Sequence, residues 1–557
     1  MLTAAQPPAR VVLLALYSDK YPAIGESHGL SVVAGSVQLA MRSNEVTMRV
    51  LDMVTWGEES SARAVSAIEQ IDANVLAVGL PYGTFSVLQR EYAALRAAMH
   101  GPRPLIVFGG PVATYMSERL ISEIEPSAFV IKGEADEALP HLIQCWLMGE
   151  IPERTPNLSY RNSTTGQLKH TPRKLVNLAA SASPYREHTT EIRSAGGQIF
   201  AESSRGCSWA ACTFCLRGLT DVLGRGHEYR RKPVGLVARD LLDLKLRGVE
   251  DVTFADEDFL GSSLDAAEQF VSELEAWRED FPKLDASLTV HSVFSRHDTP
   301  EESLRRQGVL ERLAGLGLQK VFLGIESCSS SQLKRYAKGH TRQEALAATR
   351  RLQKLGIRVE IGVILFDPLC ELEEIEDSLR FMRHHELVGL ASGISSELRL
   401  QVSSHYLSLL QNYERRHNLQ LHSTKIDPDT LSYSYNFSEP IVQRLFVAVN
   451  EWNRLIHPLY YPAKSLSRFG GSGAIGDAAS PLRHALQEFR NETCDSILKS
   501  IASTSSPGGL EESLNASMPV AARNLAASVI ECLSSLGHSG NTHPVVTQAI
   551  EAAVTFG

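Results

Sequence analysis

Three of the chain's eight cysteines, Cys207, Cys212 and Cys215, stand within nine residues of one another in Glu202-Ser-Ser-Arg-Gly-Cys-Ser-Trp-Ala-Ala-Cys-Thr-Phe-Cys-Leu-Arg-Gly218. Thiolates this close in sequence are poorly placed to staple distant parts of a fold and well placed to hold a metal centre. A closed zinc site wants a fourth protein ligand. No second CxxC pair and no Cys/His pair at finger spacing follows, although His227 lies 12 residues on. Three thiolates without an evident fourth suit an iron–sulfur cluster with one open iron, which can bind a small molecule. The competing structural reading is a zinc knuckle or three buried thiols.

Beyond this stretch, a length of 557 residues implies two or three domains. With 43% hydrophobic and 21% charged residues, the mixture is that of an ordinary globular protein. A net charge of −9 disfavours a general nucleic-acid binder. Eight cysteines in so long a chain are no disulfide framework, and their tight cluster reads as a reduced, cytoplasmic metal site. Residues 1–10 lack the apolar core of a signal peptide, and no run of about 18 apolar residues predicts a membrane span.

Over residues 1–150, expected strands at 11–16, 47–51, 74–80, 104–108 and 128–132 alternate with expected helices at 29–41, 62–71 and 85–100. This alternation predicts a parallel, doubly wound α/β sheet, whose ligands bind beyond the carboxyl ends of the strands. Those ends carry Pro81-Tyr-Gly83-Thr84, Gly109-Gly110-Pro111 and Gly133-Glu134. Glycine there lets a ligand approach the backbone, although ordinary strand–helix turns look the same. No GxGxxG follows the first strand, which disfavours a dinucleotide site. Residues 151–190 are polar and read as a connector, with a hairpin around Thr165-Gly166.

Residues 191–400 repeat the rhythm. An expected strand at 197–202 leads into the cysteine stretch, and further strands are expected at 251–255, 287–293, 320–326, 358–366 and 389–399. Helices are expected between them at 232–247, 264–278, 309–314, 342–355 and 374–385. About six such units predict a full or partial TIM-type barrel with its active residues at the strand ends. Over residues 401–557 the rhythm fades into mostly helical segments, expected at 440–457, 480–502 and 521–535. A loop is expected at 465–476 and a Ser-rich linker at 503–509. Trp452 and Leu455 fall on an apolar stripe that reads as core, and Cys494 and Cys532 read as structural.

The cysteine stretch, with Phe214 just before the last cysteine, resembles the cluster loop of radical S-adenosylmethionine (SAM) enzymes. The family pattern is CxxxCxxC; here the first gap is four residues, a length that variant members share. Val107-Phe-Gly-Gly-Pro-Val-Ala-Thr114 followed by Val130-Ile-Lys-Gly-Glu134 resembles the cobalamin-binding domain that precedes many radical SAM cores. Leu323-Gly-Ile-Glu-Ser327 with Leu333-Lys-Arg-Tyr-Ala-Lys-Gly339, and Val363-Ile-Leu-Phe-Asp-Pro368, resemble the fourth- and fifth-strand signatures of this branch. Ser403-Ser-His-Tyr406 and Leu431-Ser-Tyr-Ser-Tyr-Asn-Phe437 are similar to the segment that closes the substrate side.

The resemblance implies a [4Fe-4S] cluster on Cys207, Cys212 and Cys215, with SAM and cobalamin as further cofactors. It makes Gly83, Thr84, Gly109, Gly110, Gly133 and Glu134 candidates for cobalamin contacts. Asp256, Ser292, Arg296 and Glu326 become candidates for SAM or substrate contacts; the bland alternative for each is a salt bridge or cap at the barrel mouth. The Asp-x-His-x-x-Gly signature of other cobalamin proteins is missing, so the lower axial ligand is unassigned, and His28 reads as a loop histidine. The implied activity is methyl transfer to an unactivated carbon of a peptide or secondary-metabolite substrate, with flavodoxin or ferredoxin as electron donor. Cyclisation or rearrangement and a vestigial cobalamin domain are alternatives within the family. A non-catalytic, metal-stabilised binding protein is the alternative from another class.

Overall fold

The computed structural model describes residues 8–18, 25–41, 45–53, 60–99, 104–194, 197–217, 229–468, 474–504, 508–538 and 544–556. His227 lies outside the described residues. The first body is a seven-stranded sheet of β1 (Ala9–Ala15), β2 (Val46–Asp52), β3 (Val75–Gly79), β4 (Leu105–Gly109), β5 (Phe129–Ile131), β6 (Leu158–Arg161) and β7 (Leu168–His170). Its order is β2-β1-β3-β4-β5-β6-β7. β1 to β5 run parallel, and β6 and β7 add an antiparallel edge that carries the sheet past residue 150. The strands are apolar on both sides because helices cover both faces. Val12, Leu14 and Leu16 pack with Ile68 and Leu88 on one face. Val11 and Leu13 pack with Val37 and Leu142 on the other. The strand order reverses between β1 and β3, and that switch point opens a crevice above their carboxyl ends.

The second body is built on five parallel strands: β8 (Phe200–Ala201), β11 (Asp251–Phe254), β12 (Lys283–Leu288), β13 (Leu318–Glu326) and β14 (Arg358–Val363). Helices Val234–Leu246, Leu264–Glu275, Pro300–Gly315 and Arg342–Lys354 alternate with them, and Leu372–His384 follows β14. Reciprocal capping boxes start three of these helices, Thr299 with Glu302, Thr341 with Glu344 and Glu371 with Glu374, and fix where each β-to-α turn ends. The barrel is partial. The strand expected at 389–399 is reduced to single parallel bridges at Ala391 and Glu397. The strand expected at 287–293 stops at Leu288, because Thr289 caps the Ser292 amide and turns Val290–Val293 into a helical turn. The strand expected to reach 366 stops at Val363, and the Ile364 amide donates across to the Glu326 carbonyl at 2.7 Å. A short antiparallel ribbon of β9 (Ser204–Arg205) and β10 (Arg230–Arg231) stands beside the cysteine stretch.

The remainder pairs a small antiparallel sheet, β15 (Leu400–Gln401), β16 (His422–Asp427) and β17 (Ser432–Tyr435), with four long helices. These are Pro440–Ser467, Ala474–Ala502, Gly509–His538 and Pro544–Phe556. The first runs ten residues beyond its expected end at 457, straight through Pro458 and Pro462. Proline costs backbone hydrogen bonds there, but Leu459, Ala463 and Leu466 are buried against the neighbouring helices and outweigh that loss. The expected loop at 465–476 therefore shrinks; its residues 469–473 lie outside the described residues. Trp452 packs against the barrel core as expected, whereas Leu455 is 55% exposed and off the buried stripe. Cys494, on the second long helix, is buried against the barrel core.

Candidate active site

The cysteine stretch leaves the carboxyl end of β8 and is held at both ends. Ser208 donates to Asp258 at 2.5 Å, and the Trp209 indole N–H donates to the Ala337 carbonyl at 2.8 Å. Thr213 donates its amide to Tyr336 O at 3.0 Å and its hydroxyl to Arg335 O at 2.9 Å. The Tyr406 amide donates to Thr213 O at 2.7 Å. The 333–339 segment that receives these bonds is itself fixed: Arg335 forks onto Asp367 and Glu374, and the Tyr336 hydroxyl donates to Asp367 at 2.8 Å. Gly339, at φ +73°, lies under the Trp209 ring, where a Cβ would come within 2.2 Å of ring carbons.

Burial pushes all three thiols above the usual cysteine range, Cys212 to about 11. They stand close enough that Cys215 raises Cys207, and Cys215 and Cys207 together raise Cys212. Lys338 is their counter-charge. Burial alone would neutralise it, but Glu326 and the three thiol sites hold its ammonium above its ordinary pKa. Its Nζ lies 3.6 Å from Glu326 and 6.0 Å from the Phe214 ring centre. Metal capture displaces the thiol protons, and a buried cation beside three sulfurs favours their anionic form. Among the described residues no three His, Cys, Asp or Glu side chains are gathered to hold a single ion; a cluster instead sets each thiolate on its own iron.

Between this stretch and the first sheet lies a cavity of about 740 Å³. Gly109, Gly110, Gly133 and Glu134 line it from one side, and Arg205, Gly206, Cys207, Cys215 and Arg217 from the other. A Cβ on Gly109 would meet nothing within 4 Å, so this floor lies open to a ligand. Gly110, at φ +90°, would bring a Cβ within 2.9 Å of the Leu80 carbonyl; only glycine fits there. A ladder of charges crosses between the two bodies. Arg205 reaches Asp136 and Glu202, each at 2.8 Å, Arg230 reaches Glu134 at 2.5 Å, and Lys232 reaches Glu202 at 2.7 Å. Tyr82 accepts from Gln401 at 3.1 Å and extends the tie to β15.

The other expected residues fall elsewhere. Thr84 is fully buried and donates to Pro81 O at 2.7 Å, while the Gly83 amide donates to Asp429 O at 2.8 Å; both brace the cavity wall from behind. Asp256 is buried and accepts from the Ser203 amide at 2.9 Å and hydroxyl at 2.6 Å, and from the Ser204 hydroxyl. Burial pushes its pKa up to about 6. Ser292 is buried and donates to Thr289 O at 2.9 Å. Arg296 is half-exposed, 3.4 Å from Glu344. Glu326 closes β13 at φ +70°. His28 opens a helix rather than sitting in a loop; it lines the cavity, 3.3 Å from Glu26, and its buried Nε2 has no partner. Reading the sequence missed Lys338, Arg205, Arg230, Asp136 and Tyr82. Lys338 stands inside the fourth-strand motif, and Arg205 and Tyr82 inside stretches that the sequence already singled out; Arg230 and Asp136 carry no spacing signal, since their partners lie far along the chain.

A doubly wound sheet thus faces a three-cysteine loop on a partial β/α barrel across one cavity, the architecture of an enzyme that holds its cofactors between two bodies. The model of the radical SAM superfamily matches residues 202–382, and that of the B12 binding domain matches residues 16–143. The chain thus carries a radical SAM domain preceded by a B12-binding domain, and the cofactors that go with this pair are a [4Fe-4S] cluster, SAM and cobalamin. It is 27% identical over 321 residues to 4'-phospho-dehydrooxetanocin synthase of Priestia megaterium, an alignment spanning 54% of this chain and 40% of that relative. It is similar in structure to the cobalamin-dependent radical SAM enzyme OxsB with aqua-cobalamin and SAM bound. There the TM-score is 0.79 at 19% identity, over 99% of this chain and 83% of that one. It is also similar to the radical SAM methyltransferase TsrM of Kitasatospora setae, with a TM-score of 0.61 at 14% identity, over 80% and 88% of the two chains. The three thiols, the open glycine floor and the orphaned His28 nitrogen all fit the family's cofactors. No helix among the described residues is long and apolar enough to cross a membrane.

Proposed function

We propose that this protein transfers a methyl group to an unactivated carbon of a peptide or secondary-metabolite substrate, taking electrons from a flavodoxin or ferredoxin. The observation that carries this reading is the single cavity touching both Cys207 and Cys215 and the glycines of the first sheet, which lets both cofactors serve one substrate. When bound, the cluster, SAM and cobalamin supply the electron, the carbon-centred radical and the methyl group. The protein's own part is to bind, orient and exclude water. Cys207, Cys212 and Cys215 leave one iron for SAM; Glu326, Asp256, Ser292 and Arg296 shape or brace the barrel mouth around it. Gly109, Gly110, Gly133 and Glu134 seat the corrin, and the Arg205 and Arg230 ladder holds the two halves at fixed separation. The likeness to TsrM, a radical SAM methyltransferase, is in keeping with methyl transfer.

The test is anaerobic reconstitution with iron, sulfide and cobalamin, followed by electron paramagnetic resonance of the reduced protein with and without SAM. A cluster signal that changes on adding SAM, cobalamin co-eluting with the protein, and methylated product formed along with 5′-deoxyadenosine are the expected results. A SAM-responsive protein that takes up no cobalamin would point to a vestigial first domain. Zinc, or a cluster indifferent to SAM, would overturn the enzyme reading itself.

A further inference from the structure

At the opposite end of the barrel from the cysteines lies a second cavity, of about 510 Å³. It opens at the amino ends of β13 and β14, and the helices Pro440–Ser467 and Ala474–Ala502 roof it. Its walls carry six cationic side chains, Lys320, Arg358, Lys464, Arg468, Arg483 and Arg490, against one lining carboxylate, Glu360. Lys320 has its own partner in Asp285 at 2.7 Å. Glu360 serves Arg468 at 2.9 Å and Lys464 at 3.8 Å. Arg483 and Arg490 donate to neutral groups, Ser467 O at 3.0 Å and Gly389 O at 2.9 Å. Among the described residues Arg358, Arg483 and Arg490 join no ion pair, and Arg468 Nε is buried with no partner.

This excess of positive charge weakens the hold of its own members on their protons. Burial, together with Arg468, Arg490 and Lys320, pushes Lys464 down to about 8 against the pull of Glu360. Burial and Arg358 lower Arg483 in the same sense. Partly buried like charges without counter-charges are costly, and the cost vanishes when an anion sits among them. Guanidinium groups are planar forks that match the oxygens of a phosphate. The volume is that of a small-molecule site and excludes a macromolecular occupant. The amino-end face of such a barrel ordinarily serves stability, and a charge-neutral plug would close it more cheaply.

We propose that this cavity binds a phosphate-bearing small molecule, held by Arg358, Arg468 and Arg483 between the barrel floor and the C-terminal helices. The site is separate from the cysteine cavity and does not depend on the reaction proposed there.

The test is calorimetric titration and thermal unfolding of the full chain with sodium pyrophosphate, against sodium chloride at equal ionic strength. One pyrophosphate per chain, a rise in Tm beyond that given by chloride, and at least tenfold weaker binding by the Arg358→Gln/Arg483→Gln double variant are expected. Without anion, Arg358→Gln is expected to leave Tm unchanged or higher, since among the described residues that side chain has no hydrogen bond or ion pair to lose; it serves alone if the double variant does not fold. Equal stabilisation by chloride, equal pyrophosphate binding by the variants, or binding of citrate without pyrophosphate would each overturn the proposal.

Discussion

At the scale of single residues, two glycines mark where the backbone has no tolerance. Gly339 combines a left-handed φ with a ring atom 2.2 Å from where a Cβ would stand. Gly339→Ala is expected to cost roughly 2 kcal/mol or more, from backbone strain plus displacement of Trp209. Because Trp209 lies between Cys207 and Cys212, the loss should appear as reduced iron per chain after reconstitution, while cobalamin binding stays near normal. Gly110→Ala should do the reverse, since its Cβ would strike the Leu80 carbonyl at the cavity floor. Cobalamin uptake measured by gel filtration should fall at least tenfold with iron content unchanged. Equal loss of both cofactors in either variant would mean a general folding defect and would refute this division of labour.

At the scale of elements, the cysteine stretch and the glycine-rich strand ends are held in register by charge. Arg205 is about one-seventh exposed and immediately precedes Gly206-Cys207, so its forks to Asp136 and Glu202 set the loop against the first sheet. Arg205→Gln removes one partner from a mostly buried pair, at a cost of about 3 kcal/mol. The expected result is a lower urea midpoint and weaker cobalamin retention, with the SAM-responsive cluster signal preserved. Glu202 of this ladder has a pH signature, which the buried Glu26 and Glu360 share elsewhere in the molecule. Burial pulls Glu202 up, but Arg205 and Lys232 hold it at about 2; His28 and Arg186 do the same for Glu26, and Arg468 and Lys464 for Glu360. Their folded pKa values lie below the unfolded value, so their stabilisation is complete above about pH 4.5 and drains away as pH falls towards 2. Each contributes up to roughly 3 kcal/mol at about 1.4 kcal/mol per pH unit. Asp256 has the opposite sign: raised to about 6, its contribution is full near pH 4 and lost as pH rises through 6. Urea midpoints across pH 7 to 3 should fall steeply below 4.5, and Glu202→Gln should flatten that fall. An unchanged slope in Glu202→Gln would show that the ladder carries no such stabilisation.

At the scale of the whole molecule, two bodies enclose one cavity, and the sequence carried their parts unequally. Local pattern was enough for the α/β class, because the apolar runs of β1, β3 and β4 must be buried on both faces wherever they lie. It was enough to single out the three cysteines as a candidate metal centre by their spacing, and the glycines at 109, 110 and 133 as candidates by their place where strands end. Pattern failed where period is ambiguous or where neighbours override it. Residues 287–293 read as a strand, yet the Thr289 cap makes a helical turn of them. Pro458 reads as a stop, yet burial carries the helix through it. Leu455 sits at helical spacing and still faces solvent. Lys338, Arg205 and Asp136 owe their roles to partners far along the chain, and the six cations around Glu360 come from β13, β14 and two helices more than a hundred residues later. What the sequence determined by itself was therefore what short-range chemistry decides: hydrophobic period, thiol spacing and glycine at strand ends. Which charges meet, and which cavities they enclose, only the tertiary structure decided, because Coulomb forces and desolvation act through space and leave no period along the chain.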